Sequence, residues 1–260
     1  MSKPITDVGI DLDGVIYPFS TAFRAYCQER MGQDNLPDPT HWNFFIDWGL
    51  KEETFQTWLR EAATSHRVFA TEMPYPSVIE AWELLRKNNI RIHVMTARPQ
   101  EAWGQTAEWL DKYGLVCDSL HFNPTKTFLS HFASGRAAML DDHIHYYEEA
   151  RKAGIAPFLL NQPWNQELAN ANRVNTVLEF AYAVIGHNKI VDLDNFPKKE
   201  TATTKTTKFD LPEQPTMSPK SPHLLTTPKE KYLHQWKMYQ NKPRNNQSWN
   251  EDNYYWKPKD

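Results

Sequence analysis

The feature that most constrains this chain is a short apolar run ending in acid. Val8 to Leu12 is apolar and largely β-branched apart from Gly9 and Asp11, and it leads into Asp11-Leu12-Asp13-Gly14-Val15. Such a run reads as a buried strand. Two carboxylates at its end are costly unless something compensates their desolvation. Gly14 follows directly and lets the chain turn. Asp11 and Asp13 are therefore expected where the carboxyl edge of a sheet opens into a crevice, the usual ligand position of open α/β folds. A hard cation such as Mg2+ would relieve the repulsion between them. The competing reading is an Asx turn after a strand, with Asp-Gly as turn chemistry.

The same grammar recurs. Ile90 to Met95 predicts a strand ending at Thr96-Ala97-Arg98, and Ala137 to Leu140 predicts one ending in Asp141-Asp142. Ile155 to Leu160 predicts a further strand, and 118–122 a short one. Between them, Val78, Ala81, Trp82 and Leu85 share a helical face, as do Trp103, Ala107, Leu110 and Tyr113. Helices are also expected over 127–132, from His145 to Ala153, and from Thr176 to Ile185. Strands alternating with helices predict an α/β fold with a doubly wound, mostly parallel sheet. From Ser20 to Met73 no strand alternation occurs. Ala22, Phe23, Tyr26 and Cys27 form one helical stripe, and Phe55, Trp58, Leu59 and Ala62 another. This segment, about 18–73, reads as a small α-helical insertion after the first strand.

Composition divides the chain. Residues 186–260 carry 13 Lys and Arg against 9 Asp and Glu, leaving 16 and 23 for residues 1–185. An acidic globular domain over 1–185 is expected, followed by a disordered, mildly basic tail over 186–260. In the tail, Thr227-Pro228-Lys229-Glu230 resembles a capping box. Trp249, Tyr254, Tyr255 and Trp256 lie among Lys and Asn, a pattern suited to single-stranded nucleic acid or to a protein partner. Cys27 and Cys117 are too few for a disulfide framework or a paired metal motif. Without a membrane-length apolar run or a signal core, a soluble cytoplasmic protein is expected, with no membrane partner.

In a parallel sheet every strand's carboxyl end lies on one edge, so Asp11, Asp13, Thr96, Asp141 and Asp142 can converge there, joined by Lys126 from a loop. Such a set suits phosphoryl transfer. A carboxylate attacks phosphorus, Mg2+ neutralises charge, and Lys and Thr hold the equatorial oxygens. Thr96 could instead cap a helix, Arg98 could pair with Asp142 or Glu101 or bind phosphate, and Lys126 could be a solvated surface lysine. His143 and His145 are read as helix-start residues beside an oxygen-rich Mg2+ site. Trp42, Phe44, Phe45 and Trp48 are read mainly as packing of the insertion.

Over roughly residues 5–185 these motifs, in this order, resemble the haloacid dehalogenase superfamily of phosphohydrolases. Within it the chain is most similar to the 5′-nucleotidase group that includes 5′(3′)-deoxyribonucleotidases. The similarity lies in Asp11-Leu12-Asp13-Gly14-Val15, the short helical cap, Asp141-Asp142, and Leu159-Leu160-Asn161-Gln162-Pro163-Trp164-Asn165. The resemblance implies a Rossmann-like core and an Mg2+-dependent phosphomonoesterase acting on 5′-nucleotides, deoxyribonucleoside monophosphates above all. It implies Asp11 as nucleophile, Asp13 as acid and base, and Thr96 and Lys126 on the phosphoryl group. Mg2+ would be held by Asp11, the Asp13 carbonyl and Asp142, with Asp141 acting through water. Phe19, Phe44, Phe45, Ala97 and Arg98 would contact substrate. A homodimer is compatible with it. Thr96-Ala97-Arg98 departs from close deoxyribonucleotidases and resembles the phosphatase domain of polynucleotide kinase-phosphatases, so a nucleic-acid 3′-phosphatase is the enzyme alternative. An inactive scaffold with a partner-binding tail is the non-enzyme alternative.

Overall fold

The computed structural model describes residues 3–65, 68–122, 129 and 136–195. Its centre is a six-stranded, all-parallel sheet: β1 (Asp7–Ile10), β2 (Arg91–Thr96), β3 (Ser119–Phe122), β4 (Ala137–Asp141), β5 (Ala156–Leu160) and β6 (Arg173–Val174). The spatial order is β3-β2-β1-β4-β5-β6. β1 is central and wholly buried, pairing with β2 on one side and β4 on the other, so that Ile10 lies between Val94 and Leu140. Chain direction across the sheet reverses between β1 and β4. That switch point is where an open α/β sheet leaves a crevice.

Helices cover both faces because their apolar stripes need burial. α1 (Phe19–Met31) buries Ala22, Phe23, Tyr26 and Cys27, the stripe expected from spacing, and ends at Gly32 in the left-handed conformation. α2 (Glu52–Thr64) buries Phe55, Ala62 and Ala63, and Glu52 and Glu53 complement its amino-terminal dipole. A short turn at Phe44–Ile46 places Phe45 in a stack with Phe55, ring centroids 4.5 Å apart. These elements form the insertion between β1 and the next helix. α3 (Val78–Lys87) buries Val78, Ala81, Trp82 and Leu85. α4 (Trp103–Lys112) buries Ala107 and Leu110 but also Gln105 and Thr106, which its apolar spacing did not mark.

α5 (Ile144–Lys152) follows β4, and α6 (Val177–Asn195) packs on α3. α6 runs past the expected end at Ile185. Gly186 does not stop it, because Asn188 on the added turns exchanges hydrogen bonds with the backbone of Ile5 (2.6 and 2.7 Å). The first residues assigned to the tail are therefore helical. The rest of the tail, including the Thr227 capping box and the terminal aromatics, lies outside the described residues, as does nearly all of the helix expected over 127–132. Cys27 and Cys117 are both buried and neither is in a disulfide, and burial pushes the Cys27 thiol up to about 12. Among the described residues no helix is long and apolar enough to cross a membrane.

A polar string crosses the sheet away from the switch point. Asp7, fully buried, accepts from Arg91, from His93 Nε2 at 2.9 Å and from the Thr6 hydroxyl. His93 Nδ1 and His121 Nε2 each lie 2.6 Å from the Ser119 hydroxyl. Burial alone would raise the Asp7 carboxyl, but its hydrogen bonds from Arg91, His93 and Thr6 hold it below the usual carboxylate range. Burial, aided by the neighbouring His93, pushes His121 down to about 4. Both folded-state values are depressed, so both groups stabilise the fold above their unfolded values and lose that contribution as pH falls. His121 acts between its ordinary 6.5 and about 4, and Asp7 below its ordinary 3.8. Denaturant midpoints measured from pH 7 to pH 4 should therefore fall, and His121→Gln should flatten that decline relative to wild type.

Candidate active site

Asp11 directly follows β1 and extends its pairing by one residue, its N–H donating to the Leu140 carbonyl at 3.1 Å. The chain then coils on itself. The Leu12 carbonyl accepts from Val15, Ile16 and Tyr17, and Gly14 donates to the Tyr17 carbonyl. Asp141 ends β4 across the switch point and Asp142 is next. Asp11, Asp141 and Asp142 are all buried, with carboxylate oxygens within 4.8 Å of one another. Only oxygen donors are offered, at short range and out of water. That donor set fits a hard divalent cation of the Mg2+ type and not a nitrogen- or sulfur-seeking one.

Neighbours fix the trio. Asp141 Oδ1 accepts from the His143 N–H at 2.9 Å. Asp142 Oδ2 accepts from the Trp164 indole at 3.1 Å, and its carbonyl accepts from Asn165 Nδ2 at 2.8 Å. The second Asn165 amide bond goes to the Leu160 carbonyl, and Gln162 Nε2 donates to the Gly14 carbonyl at 2.6 Å. The loop after β5 thus braces the acids after β1 and β4. Trp164 serves as a brace of Asp142. Gln162 and Asn165 stood in the motif stretch read from sequence, but their bracing role did not. Tyr75 was not foreseen at all. Its phenol is pushed up to about 12, by burial first and then by the charges of Asp142 and Asp13, so it remains a neutral hydroxyl. Nothing in the Pro74-Tyr75-Pro76 stretch signals that position near Asp142 and Asp13.

Thr96 is fully buried at the end of β2, and its hydroxyl accepts from the Arg98 N–H at 3.1 Å. It caps no helix, since Pro99 and a short turn at Gln100–Ala102 follow. Ala97 is exposed at this edge. Arg98 takes neither expected partner, Asp142 or Glu101. Its Nε and Nη2 grip the Asp13 carboxylate at 2.7–3.1 Å, and its side chain is closed to solvent. The Asp13 carboxylate is thus held by Arg98, and the group of acids meeting within 4.8 Å is Asp11, Asp141 and Asp142. Lys126 lies outside the described residues.

Phe19 is half-buried between Phe23 and Phe69, at centroid distances of 5.4 and 5.7 Å. Phe44 is half-buried, whereas Phe45 is enclosed in the insertion's own core with Trp48. Trp42 behaves differently: it is 41% exposed and reaches His143 edge-on, ring centroids 4.0 Å apart. The insertion therefore touches the loop that carries Asp141 and Asp142. His143 itself caps α5, its Nδ1 accepting from the His145 N–H.

Gly14 is required twice. Its φ is +80°, and an added Cβ would lie 2.1 Å from Asp142 Oδ2. Gly14→Ala must displace that carboxylate as well as strain the turn. We expect divalent-ion affinity, measured by calorimetry with Mg2+ or Mn2+, to fall roughly ten- to a hundredfold, the range for a disturbed ligand support.

No protein-family model and no curated protein matches this sequence significantly. Solved structures do resemble it. A candidate phosphoglycolate phosphatase from Lactobacillus delbrueckii superposes with a TM-score of 0.54 at 14% identity, over 70% of this chain and 99% of that one. A haloacid dehalogenase-like hydrolase from Streptococcus pneumoniae gives 0.53 at 14% identity, over 69% and 98%. A phosphonoacetaldehyde hydrolase-like protein from Oleispira antarctica gives 0.53 at 12% identity, over 75% and 96%. With its six parallel strands, its switch-point acids and its insertion after β1, the chain has the Rossmann-like fold of haloacid dehalogenase-type hydrolases.

Proposed function

We propose that this chain is an Mg2+-dependent phosphomonoesterase working through an aspartyl-phosphate, with 5′-nucleotides, in particular deoxyribonucleoside monophosphates, as substrates. The observation that carries the reading is the trio of buried carboxylates at the switch point, with a further carboxylate, Asp13, held by Arg98 on the loop that follows Asp11. A structural core has no use for such an arrangement, since three close buried acids oppose folding. A phosphoryl-transfer site needs one acid to attack, others to hold a cation, and one to move a proton.

In this reading the Asp11 carboxylate attacks phosphorus and the ester oxygen departs. Asp13 delivers a proton to that oxygen, then takes one from the water that cleaves the aspartyl-phosphate, which regenerates Asp11 and releases phosphate. Thr96 and Lys126 hold the transferring group. Asp11, Asp141 and Asp142 would hold Mg2+, with the Asp13 carbonyl as a further donor. The cation would supply charge neutralisation at the phosphoryl oxygens. The insertion, meeting the core through Trp42 and His143, would exclude water and select the leaving group. The half-buried edge of Phe19, stacked between Phe23 and Phe69, and half-buried Phe44 would supply apolar surface to a nucleobase.

A panel of nucleotides, sugar phosphates and 3′-phosphorylated oligonucleotides, assayed with Mg2+ and again with EDTA, tests the reading. Turnover of nucleoside monophosphates that EDTA abolishes supports it, and preference for the oligonucleotide favours the 3′-phosphatase. Asp11→Asn keeps the side-chain shape and should lower turnover on the order of a thousandfold or more while the protein stays folded. Retained turnover would remove Asp11 as nucleophile. Asp13→Asn should slow nucleotide hydrolysis far more than 4-nitrophenyl phosphate hydrolysis, because a good leaving group barely needs the acid.

A further inference from the structure

Arg98 is the most heavily engaged buried cation among the described residues. Its Nε donates to both Asp13 carboxylate oxygens at 3.1 and 2.9 Å, and Nη2 donates to one of them at 2.7 Å. Its Nη1 donates to the Phe69 carbonyl at 3.1 Å and to the Thr106 hydroxyl at 2.9 Å. The guanidinium is sandwiched between the Tyr17 and Phe69 rings, 4.6 and 4.8 Å from their centroids. No part of the side chain is solvent-exposed. Four of its five N–H donors go to protein acceptors, both faces are covered and no side-chain surface reaches solvent, so the group is engaged by protein and closed to a phosphate.

The partners lie at the two ends of the insertion. Tyr17 ends the outgoing linker, and its backbone bridges to Asp13. Its hydroxyl donates to the Val68 carbonyl and accepts from the Thr71 N–H at 3.2 Å, both on the returning linker. Phe69 lies between them. Arg98 therefore joins the returning linker to the Asp13 carboxylate through one rigid plane, and α4 supplies the anchor through Thr106. We propose that Arg98 is a positioning residue that fixes the Asp13 carboxylate from the insertion's returning linker, and that it is not a ligand of the substrate phosphate. This rests on the phosphomonoesterase reading, in which Asp13 serves the leaving group.

Arginine is suited to this post and lysine is not. Only a planar fork can grip a carboxylate in bidentate fashion and also donate from its far edge. Arg98→Lys keeps the charge and loses the geometry.

The test compares wild type, Arg98→Lys and Thr106→Val on a nucleoside 5′-monophosphate, whose leaving group is a poor one, and on 4-nitrophenyl phosphate, with inorganic phosphate as inhibitor. We expect Arg98→Lys to lower kcat on the nucleotide about ten- to a hundredfold and on 4-nitrophenyl phosphate less than about threefold. KM and the phosphate inhibition constant should stay within about twofold of wild type, as for loss of an interaction made only in the transition state. In an Asp13→Asn background the Arg98→Lys change should have almost no further effect on nucleotide turnover, since both act on one group. Thr106→Val, which removes one bond and no charge, should show the same leaving-group bias at a few-fold size, and it carries the test if Arg98→Lys does not fold. A phosphate inhibition constant that rises together with KM would overturn the proposal by making Arg98 a phosphate ligand. Equal losses on the two substrates would overturn it by making the role merely structural. In both cases active wild type leaves the phosphomonoesterase reading standing. Wild type inactive on every phosphomonoester would overturn that reading and the Arg98 proposal with it.

Discussion

The repulsion among Asp11, Asp141 and Asp142 is the constraint on which the carboxyl edge of the sheet is built. Two like charges about 5 Å apart oppose each other by about 3 kcal/mol at the effective dielectric of a protein site, and three acids make three such pairs. Adjacent strands force the encounter: β1 and β4 are parallel, in register, and finish at the same edge. The surroundings then keep the acids from moving apart. Trp164 and Asn165 hold Asp142, the His143 N–H holds Asp141, and Gln162 ties the Gly14 turn to the same loop. Gly14 has no side chain because Asp142 occupies the space where one would be. This is preorganisation: the fold bears the cost of assembling charge before a ligand arrives.

Asp7 shows how differently the same residue type behaves at the other end of β1. It is as buried as the trio, yet its neighbours are Arg91, His93 and Thr6, all able to donate to it. Its charge is thereby compensated, and the string through Ser119 to His121 ties three strands together. One edge of the sheet answers buried carboxylates with donors. The other brings three carboxylates within 4.8 Å of one another, with donors such as the Trp164 indole and the His143 N–H holding them in place. Burial alone does not separate a structural acid from a chemical one; the gathering of several carboxylates at one point does.

What the sequence made legible was whatever depends on local pattern. The stripes of α1 and α3 match their buried residues, because helical periodicity and burial are two views of one constraint. The acids ending β1 and β4 were readable for the same reason: an apolar run with a charge at its end has few places to go. The failures are long-range. β6 spans only Arg173 and Val174, too few residues for any alternation, and exists because β5 offers it an edge. α6 continues through Gly186 because the chain's other end, at Ile5, supplies Asn188 with partners. Gln105 and Thr106 break the apolar stripe of α4 because they face polar groups, the Ala63 carbonyl and Arg98. The grip of Arg98 on Asp13 joins residues 85 apart in sequence, and no spacing rule could propose it.

The pairing of Arg98 with Asp13 changes what the insertion can do. An insertion joined to a core by two linkers could swing freely if those linkers were solvated. Here Tyr17 bonds one linker to the other, and Arg98 bonds the returning linker to a carboxylate of the core. The insertion cannot move as a rigid body about residues 68–71 without disturbing the Phe69 carbonyl, the Tyr17 hydroxyl or both. Releasing the Phe69 carbonyl would leave a buried arginine short of an acceptor, which is costly. Carrying the guanidinium along instead would break its bond to Thr106 on α4 and pull on Asp13. The returning linker and the Asp13 carboxylate are therefore held to one another through Arg98, while the loop after β5 braces Asp142 and the Gly14 turn. The site is thus held from two directions: the loop after β5 secures Asp142 at the acid trio, and Arg98 secures Asp13 against the insertion's returning linker.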